Sequence, residues 1–317
     1  MRRRIPRQAT HSGFVDEGSG SNARACTVRA VVAVMMPGKP VADAVFADLE
    51  PRVVALRAAG HNPGLGTILV GSDPSSAGYI RMKQERATQL GFTNRHVHLG
   101  DDASQADLVT VIRDYNTDPD IDAVLIQHPI PANLDYEAAL AELDPDKDAD
   151  GAHPMNMGRL ALGMPGPLPC TPAGIEALLA FYDIPIAGRE VVVLGRGFTL
   201  GRPLSMLLSL KRPTANAAVT VVHTGVPDWD RYTRRAPIVV AAAGVPGILQ
   251  PQHISPGAVV VGGGVRYEGK KLLPDVDVRC EEVAGWITPR VGGVGPTTIA
   301  MLFRNTVEAA ERRATRP

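Results

Sequence analysis

The chain has 317 residues, with 33 Lys+Arg balancing 33 Asp+Glu, a length that suits two domains better than one. Zero formal charge gives no electrostatic reason to propose nucleic acid or an anionic membrane as partner, and 44% hydrophobic against 21% charged residues excludes a disordered chain. The longest apolar run, residues 30–36, is far too short to span a bilayer.

Residues 1–34 are expected to form a disordered leader, Arg-rich over 1–7 and Gly/Ser-rich over 12–21, without hydrophobic periodicity. A mitochondrial-type targeting segment is the alternative, opposed by Asp16 and Glu17. The leader holds six arginines and two acids, so the remaining body carries 27 basic against 31 acidic groups, a net charge of −4.

From Val41 the pattern alternates between helix and strand. Val45, Phe46, Leu49, Val53, Val54 and Leu56 mark a one-faced helix over 41–59, closed by Gly60. A short strand over 67–70 ends at Gly71, Ser75 or Ser76 caps a helix running to Leu90, and Gly91 stops it. Ser104 caps a helix over 105–116, and 123–126 is a buried strand. The spacing then predicts a helix over 171–182, strands over 190–194, 219–222, 238–242 and 258–261, and a last helix opening at Pro296. Such alternation implies an α/β protein with parallel sheets and crossover helices.

Aromatic residues make up only 4%, so the core must rest on aliphatic side chains. Only six of the 33 basic residues are lysines, which draws attention to Lys83 and Lys147 as titratable amines in a chain that otherwise chooses arginine. Three scattered cysteines, Cys26, Cys170 and Cys280, form no Cys-x-x-Cys pair, and a reducing compartment without a metal site fits them. His96 and His98 read as surface residues of a strand.

The strand over 190–194 runs directly into Gly195, Arg196, Gly197, Phe198, Thr199, Leu200 and Gly201. A glycine-rich strand-to-helix turn offers backbone N–H groups and a helix N-terminus to a phosphate, although a tight turn without a ligand has the same outline. The next strand ends in His223 and Thr224, with no carboxylate for ribose hydroxyls, while Arg196 offers a cation to a 2′-phosphate; this favours NADP over NAD. Tyr79 and Lys83 share a helix face one turn apart, where a phenol can assist an amine in proton transfer, although by itself this spacing more often marks a surface Tyr–Lys pair. A Tyr-x-x-x-Lys pair also occurs in short-chain dehydrogenases, but there it follows the glycine turn, and here it precedes it by more than a hundred residues. Gln127 stands at the carboxyl edge of a strand, and Lys147, Asp148 and Asp150 form a charged turn whose carboxylates are either solvated or poised for an amino-heterocycle.

Taken in order, these residues resemble the bifunctional methylenetetrahydrofolate dehydrogenase/methenyltetrahydrofolate cyclohydrolase (FolD) family, from about Pro37 to Ala310. The resemblance is carried by Val70 to Pro74 with Ser76, Tyr79 and Lys83; by Gln127, Pro129 and Pro131; by the turn 147–151; by Pro169, Cys170, Thr171, Pro172, Ala173 and Gly174; by the glycine turn with Arg202 and Pro203; and by 292–296 with Thr298. It implies two α/β domains: a folate-binding catalytic domain over 35–168 joined by the returning C-terminal helix 296–317, and a Rossmann-type NADP-binding domain over 169–295.

The implied activity oxidises 5,10-methylenetetrahydrofolate with NADP and hydrolyses the methenyl product to 10-formyltetrahydrofolate, in a cytoplasmic homodimer. By the same resemblance Lys83 transfers protons, Tyr79 positions it and stacks on the folate, Gln127 tunes it, and Asp150 holds the pterin. Gly195, Arg196, Gly197, Gly201, Thr224 and Val265 fall to the cofactor, and Gly293 and Pro296 to the substrate. The chain departs from the family pattern at His128, Gly197, Gly262 to Gly264, Pro274, Arg290 and Val291. Rival readings are a monofunctional NADP-dependent dehydrogenase, with hydrolysis impaired by His128 or Arg290, and a silent folate-binding paralogue.

Overall fold

The computed structural model describes residues 33–72, 74–269 and 271–315, with 74–79 and 267 described by their backbone alone. The expected leader lies outside the described residues except for its last two positions, and Cys26 lies outside them too. Val34, assigned to the leader from sequence, already belongs to the fold. It opens β1 (Val34–Met35), whose extended backbone is anchored by Val34 N–H donating to Gly285 O at 2.9 Å.

The first half continues through α1 (Gly38–Ala58), β2 (Gly64–Val70), α2 (Pro74–Gln89), β3 (Thr93–Leu99), α3 (Gln105–Thr117), β4 (Ala123–Ile126), α4 (Tyr136–Glu142) and α5 (Pro154–Ala161). β2 is the middle of a parallel three-stranded sheet in the order β3-β2-β4. Its side chains alternate between two cores, as a strand covered on both faces requires. Leu65 and Leu69 pack with α1 residues such as Phe46 and Leu49, while Ile68 and Val70 pack with Leu108 and Ile112 of α3.

The second half runs through α6 (Cys170–Phe181), β5 (Glu190–Leu194), α7 (Gly201–Ser209), β6 (Ala218–Val222), α8 (Asp230–Thr233), β7 (Ile238–Ala241), β8 (Val259–Gly262), β9 (Val265–Glu268), β10 (Lys271–Pro274), β11 (Trp286–Ile287) and α9 (Val294–Ala314). A parallel six-stranded sheet in the order β1-β11-β8-β7-β5-β6 forms its centre, and β9 and β10 make a separate antiparallel hairpin. On β5, Val191 and Val193 face one core, and Val192 and Leu194 the other.

Two helix starts differ from the sequence expectation. α2 begins at Pro74, which puts Ser75 and Ser76 inside its first turn. Proline suits that opening position because its fixed φ is already helical and it has no N–H to leave unbonded. α9 begins at Val294, two residues before Pro296, which is tolerated because first-turn N–H groups have no intrahelical acceptor. Ser104 caps α3 as expected, accepting from Asp107 N–H at 3.2 Å while the Asp107 carboxylate accepts from Ser104 N–H at 2.9 Å.

α9 returns to the first half and packs on α1 and α6. Phe303 meets Phe46 and Phe92 with ring centroids 5.8 and 5.5 Å apart, so three phenylalanines pack where α9 docks. The Arg52 guanidinium on α1 pairs with both carboxylate oxygens of Glu311 at 2.7–2.8 Å. Asn305 in the middle of α9 donates to Ala149 O and Leu168 O, both at 2.9 Å. That side chain ties the C-terminal helix to the turn carrying Asp150.

Candidate active site

The charged turn 147–151 separates into three roles. Lys147 donates to Tyr115 O at 2.8 Å and Asp118 O at 2.9 Å, satisfying carbonyls at the C-terminus of α3. Asp148 is buried; its oxygens accept from Gly151 N–H at 2.9 Å, His153 N–H at 2.8 Å and Asn156 Nδ2 at 2.9 Å. With its lone pairs committed to the backbone, Asp148 shapes the turn. Asp150 feels the Lys83 charge, and removal from water pushes its carboxyl up to about 6, against the opposing pull of that charge.

Lys83 lies near the middle of α2, buried to 9% exposure, and its Nζ donates to Gln127 Oε1 at 2.9 Å. The Gln127 amide is held in that sense because Nε2 donates to His128 O at 2.7 Å. Gln127 N–H in turn donates to Ile68 O at 2.8 Å, extending the β2–β4 ladder by one step to the strand's carboxyl edge. Burial lowers the Lys83 pKa, and the nearby Asp150 charge opposes the shift. The Cys170 thiol, at the start of α6, is also raised by burial and by Asp150, so it remains protonated. An amine that sheds its proton more easily than usual, beside a carboxyl with an elevated pKa, is suited to moving protons.

The structure thus brings Lys83, Gln127 and Asp150 together. Tyr79 lies on α2 one turn before Lys83, and its side chain lies outside the described residues. Gly293 and Pro296 lie at the start of α9, which Thr298 joins to α6 by donating to Thr171 Oγ1 at 3.3 Å. Sequence reasoning missed Tyr136, the first residue of α4, whose phenol is raised by burial and by the charges of Asp150 and Asp148. It lies nine positions after Gln127, and no spacing rule connects the two. Asn305 was missed for the same reason.

The second feature is the β5–α7 turn. Gly195 has φ +132°, and a Cβ there would stand 2.0 Å from Ala242 O; one on Gly201 would stand 2.4 Å from Gly195 O. Backbone therefore packs on backbone at both positions, and only glycine permits it. Leu200 precedes α7 without any side-chain cap; Arg202 N–H donates to Gly197 O at 3.1 Å and Pro203 has no N–H, so Gly201 N–H is the first-turn donor left to a ligand. Arg196, Gly197 and Thr199 are exposed around this cradle, and Thr224 is exposed just beyond β6. The Gly201 N–H at the helix start, with the exposed Arg196 cation and the Thr199 hydroxyl beside it, fits a dinucleotide phosphate. Val265 lies apart from the turn, lining a cavity of about 330 Å³ with Gly262, Val276, Thr288 and Arg290.

The divergent glycines have a structural cause. A Cβ on Gly264 would meet Asp275 Oδ2 at 1.9 Å. That buried carboxylate accepts from Ala243 N–H at 2.6 Å and Gly244 N–H at 2.9 Å, and so fixes the loop after β7. Arg290 donates to Leu272 O at 2.9 Å and fastens the last glycine turn to the β9–β10 hairpin. His96 Nδ1 lies 2.9 Å from Thr67 Oγ1, and His98 Nε2 lies 2.8 Å from Gly71 O, on the exposed side of β3.

A buried, carboxylate-flanked amine and a glycine cradle at the carboxyl ends of parallel strands define an α/β enzyme of dinucleotide-binding type. The chain belongs to the tetrahydrofolate dehydrogenase/cyclohydrolase family: residues 36–150 match that family's catalytic domain and 169–314 its NAD(P)-binding domain. It is 66% identical over 281 residues to the bifunctional protein FolD 1 of Salinispora tropica, covering 89% of this chain and 92% of that protein. It is 59% identical over 284 residues to the bifunctional protein FolD of Syntrophotalea carbinolica, covering 90% and 98%. Among solved structures it superposes on the methylenetetrahydrofolate dehydrogenase-cyclohydrolase of Trypanosoma brucei, complexed with NADP cofactor and inhibitor. That comparison has a TM-score of 0.83 and 35% identity over 90% of this chain and 99% of that one.

Proposed function

We propose that the chain interconverts 5,10-methylenetetrahydrofolate, 5,10-methenyltetrahydrofolate and 10-formyltetrahydrofolate, by NADP-dependent hydride transfer and hydrolysis of the methenyl bridge. The observation that carries the reading is the hydrogen-bonded Lys83–Gln127 pair beside Asp150, in a chain matching both domains of the family. Lys83, Gln127 and Asp150 retained together favour both activities over the monofunctional and silent alternatives.

The turn 195–201, with the start of α7, would hold the cofactor phosphates, and Arg196 would meet the 2′-phosphate. NADP, when bound, supplies the acceptor for the hydride leaving the methylene carbon. Oxidation needs little acid–base help, so the residues' task there is alignment of the two ligands. Tyr79 and Asp150 would hold the substrate, the carboxylate accepting from pterin N–H groups, with Gly293 and Pro296 closing the site from α9. Hydrolysis needs more. Neutral Lys83 takes a proton from the water whose oxygen bonds to the methenyl carbon, and the cationic substrate favours that neutral amine. The ammonium then returns the proton to the ring nitrogen as its bond to that carbon breaks, and the remaining hydroxyl proton leaves to solvent as the C=O bond forms, so the formyl group stays on the other nitrogen.

The test follows NADPH absorbance and methenyl disappearance together on purified protein, with wild type and Arg196→Ala, in NADP and in NAD. Both signals are expected for wild type. Arg196→Ala should weaken NADP about tenfold or more, as a charge-assisted hydrogen bond of ~1.5 kcal/mol or more implies, with little effect on NAD. Absence of both signals would remove the assignment, and equal losses for the two cofactors would remove the 2′-phosphate role.

The proposal extends to a cytoplasmic homodimer. The described cysteines, Cys170 and Cys280, are free and buried, in keeping with a reducing compartment. No described helix is long and apolar enough to cross a membrane. Light scattering should give the mass of two chains, and a single-chain mass at assay concentrations would exclude the dimer.

A further inference from the structure

Three aromatic rings meet where the segment after Gln127 approaches the glycine turn. His128 stands edge-on to Tyr136 with ring centroids 4.9 Å apart, and edge-on to Phe198 at 5.9 Å. Tyr136 and Phe198 are 6.0 Å apart, completing a triangle. His128 and Tyr136 belong to the first half of the chain, after β4 and at the start of α4. Phe198 belongs to the second half, between Gly197 and Thr199 in the cradle. The rings line a cavity of about 490 Å³ with residues 132–135 and Glu137.

Each ring is tied to a different functional element. The His128 carbonyl holds the Gln127 amide, which holds Lys83. Tyr136 feels the Asp150 charge, and Phe198 rides on the turn between two sterically locked glycines. Burial lowers the His128 pKa, so its ring stays neutral and packs as an aromatic. Edge-to-face contacts are directional, so this triangle fixes an angle as well as a distance. Phe198 is 36% exposed, and its ring is in contact with the other two members of the triangle.

We propose that the His128–Tyr136–Phe198 triangle is a bridge between the substrate half and the cofactor turn, making His128 and Phe198 positioning residues for hydride transfer. The inference rests on the functional reading above, since only a two-ligand reaction needs the halves held in register. Hydride transfer requires two bound rings in alignment, whereas hydrolysis uses Lys83 and water within the first half alone. Breaking the bridge should therefore separate the two activities.

The experiment measures single-turnover NADPH formation, the KM for NADP, and methenyl hydrolysis without cofactor. It compares wild type with His128→Ala, Phe198→Ala, the double variant and His128→Phe. Each alanine variant should slow NADPH formation about tenfold, since small misplacements of reacting groups carry large rate penalties. Hydrolysis should fall by a much smaller factor, and the double variant should lose no more than the worse single, because both cut one bridge. His128→Phe, which keeps a ring, should restore most of the rate. Equal losses in both activities, independent additive losses, or a raised KM for NADP at unchanged rate would overturn the bridge. Wild-type protein lacking both activities would overturn the functional reading and the bridge with it.

Discussion

Lys83→Met is expected to abolish methenyl hydrolysis, by about 10²–10⁴-fold, the usual contribution of a positioned proton-transfer group. The amine is buried and bonded to Gln127 Oε1 at 2.9 Å, so the substitution removes a proton carrier that is held in place. Methionine has similar length and no charge to desolvate, and the fold should tolerate it. NADPH formation should survive in part, because hydride transfer asks the protein for alignment more than for a proton. Lys83→Arg separates charge from proton transfer: guanidinium keeps the cation but does not deprotonate at working pH, so hydrolysis should be lost there too. The sign of the pH dependence follows from the neutral amine being the active form. Wild-type hydrolysis should rise as pH passes upward through the lowered Lys83 pKa, and both variants should lose that rise. The check is the decay of methenyl absorbance across pH; hydrolysis unchanged in Lys83→Met would take Lys83 out of the mechanism.

Much of this site was legible because its chemistry is local in sequence. Gly195 and Gly201 bracket one strand-to-helix turn, so spacing alone fixes their relation. The strands β4 and β5 were found at their observed limits because a fully buried parallel strand is a short uninterrupted apolar run. The two-residue strands β1 and β11 have no period to read; each exists only through its partner, Val34 facing Trp286 and Met35 facing Ile287. The short helices α4 and α5 and the β9–β10 hairpin escaped for related reasons: few residues and ends fixed by tertiary contacts. Within the site, the roles of Lys147 and Asp148 could not be separated from that of Asp150 by composition. Only their partners do so, the α3 carbonyls for one and the 151–156 backbone and Asn156 for the other. The aromatic triangle joins residues 128, 136 and 198, and the contacts of Phe198 with the other two depend on how the two halves close.

Gly195→Ala should remove NADP binding and lower stability together, whereas Gly197→Ser, two residues away, should do neither. At Gly195 the backbone sits at φ +132°, a conformation that costs a non-glycine residue about 1–3 kcal/mol. The added Cβ would also stand 2.0 Å from Ala242 O, a backbone atom that cannot rotate aside. Ala242 N–H donates to Leu194 O at 2.7 Å, so relieving the clash means separating the ends of β5 and β7. That separation displaces the first turn of α7, since Gly201 lies against Gly195 O. The thermal midpoint should fall by about 2–4 °C for each kcal/mol lost. Gly197 has no atom within 4 Å of its would-be Cβ and needs no left-handed backbone, so serine there adds only a hydroxyl beside the cradle. Calorimetric titration with NADP and thermal melts of the two variants provide the check. Wild-type affinity in Gly195→Ala would move the cofactor away from this turn; lost affinity in that variant with tight binding retained in Gly197→Ser would tie the cofactor to the backbone geometry of the turn, independent of any hydroxyl it carries.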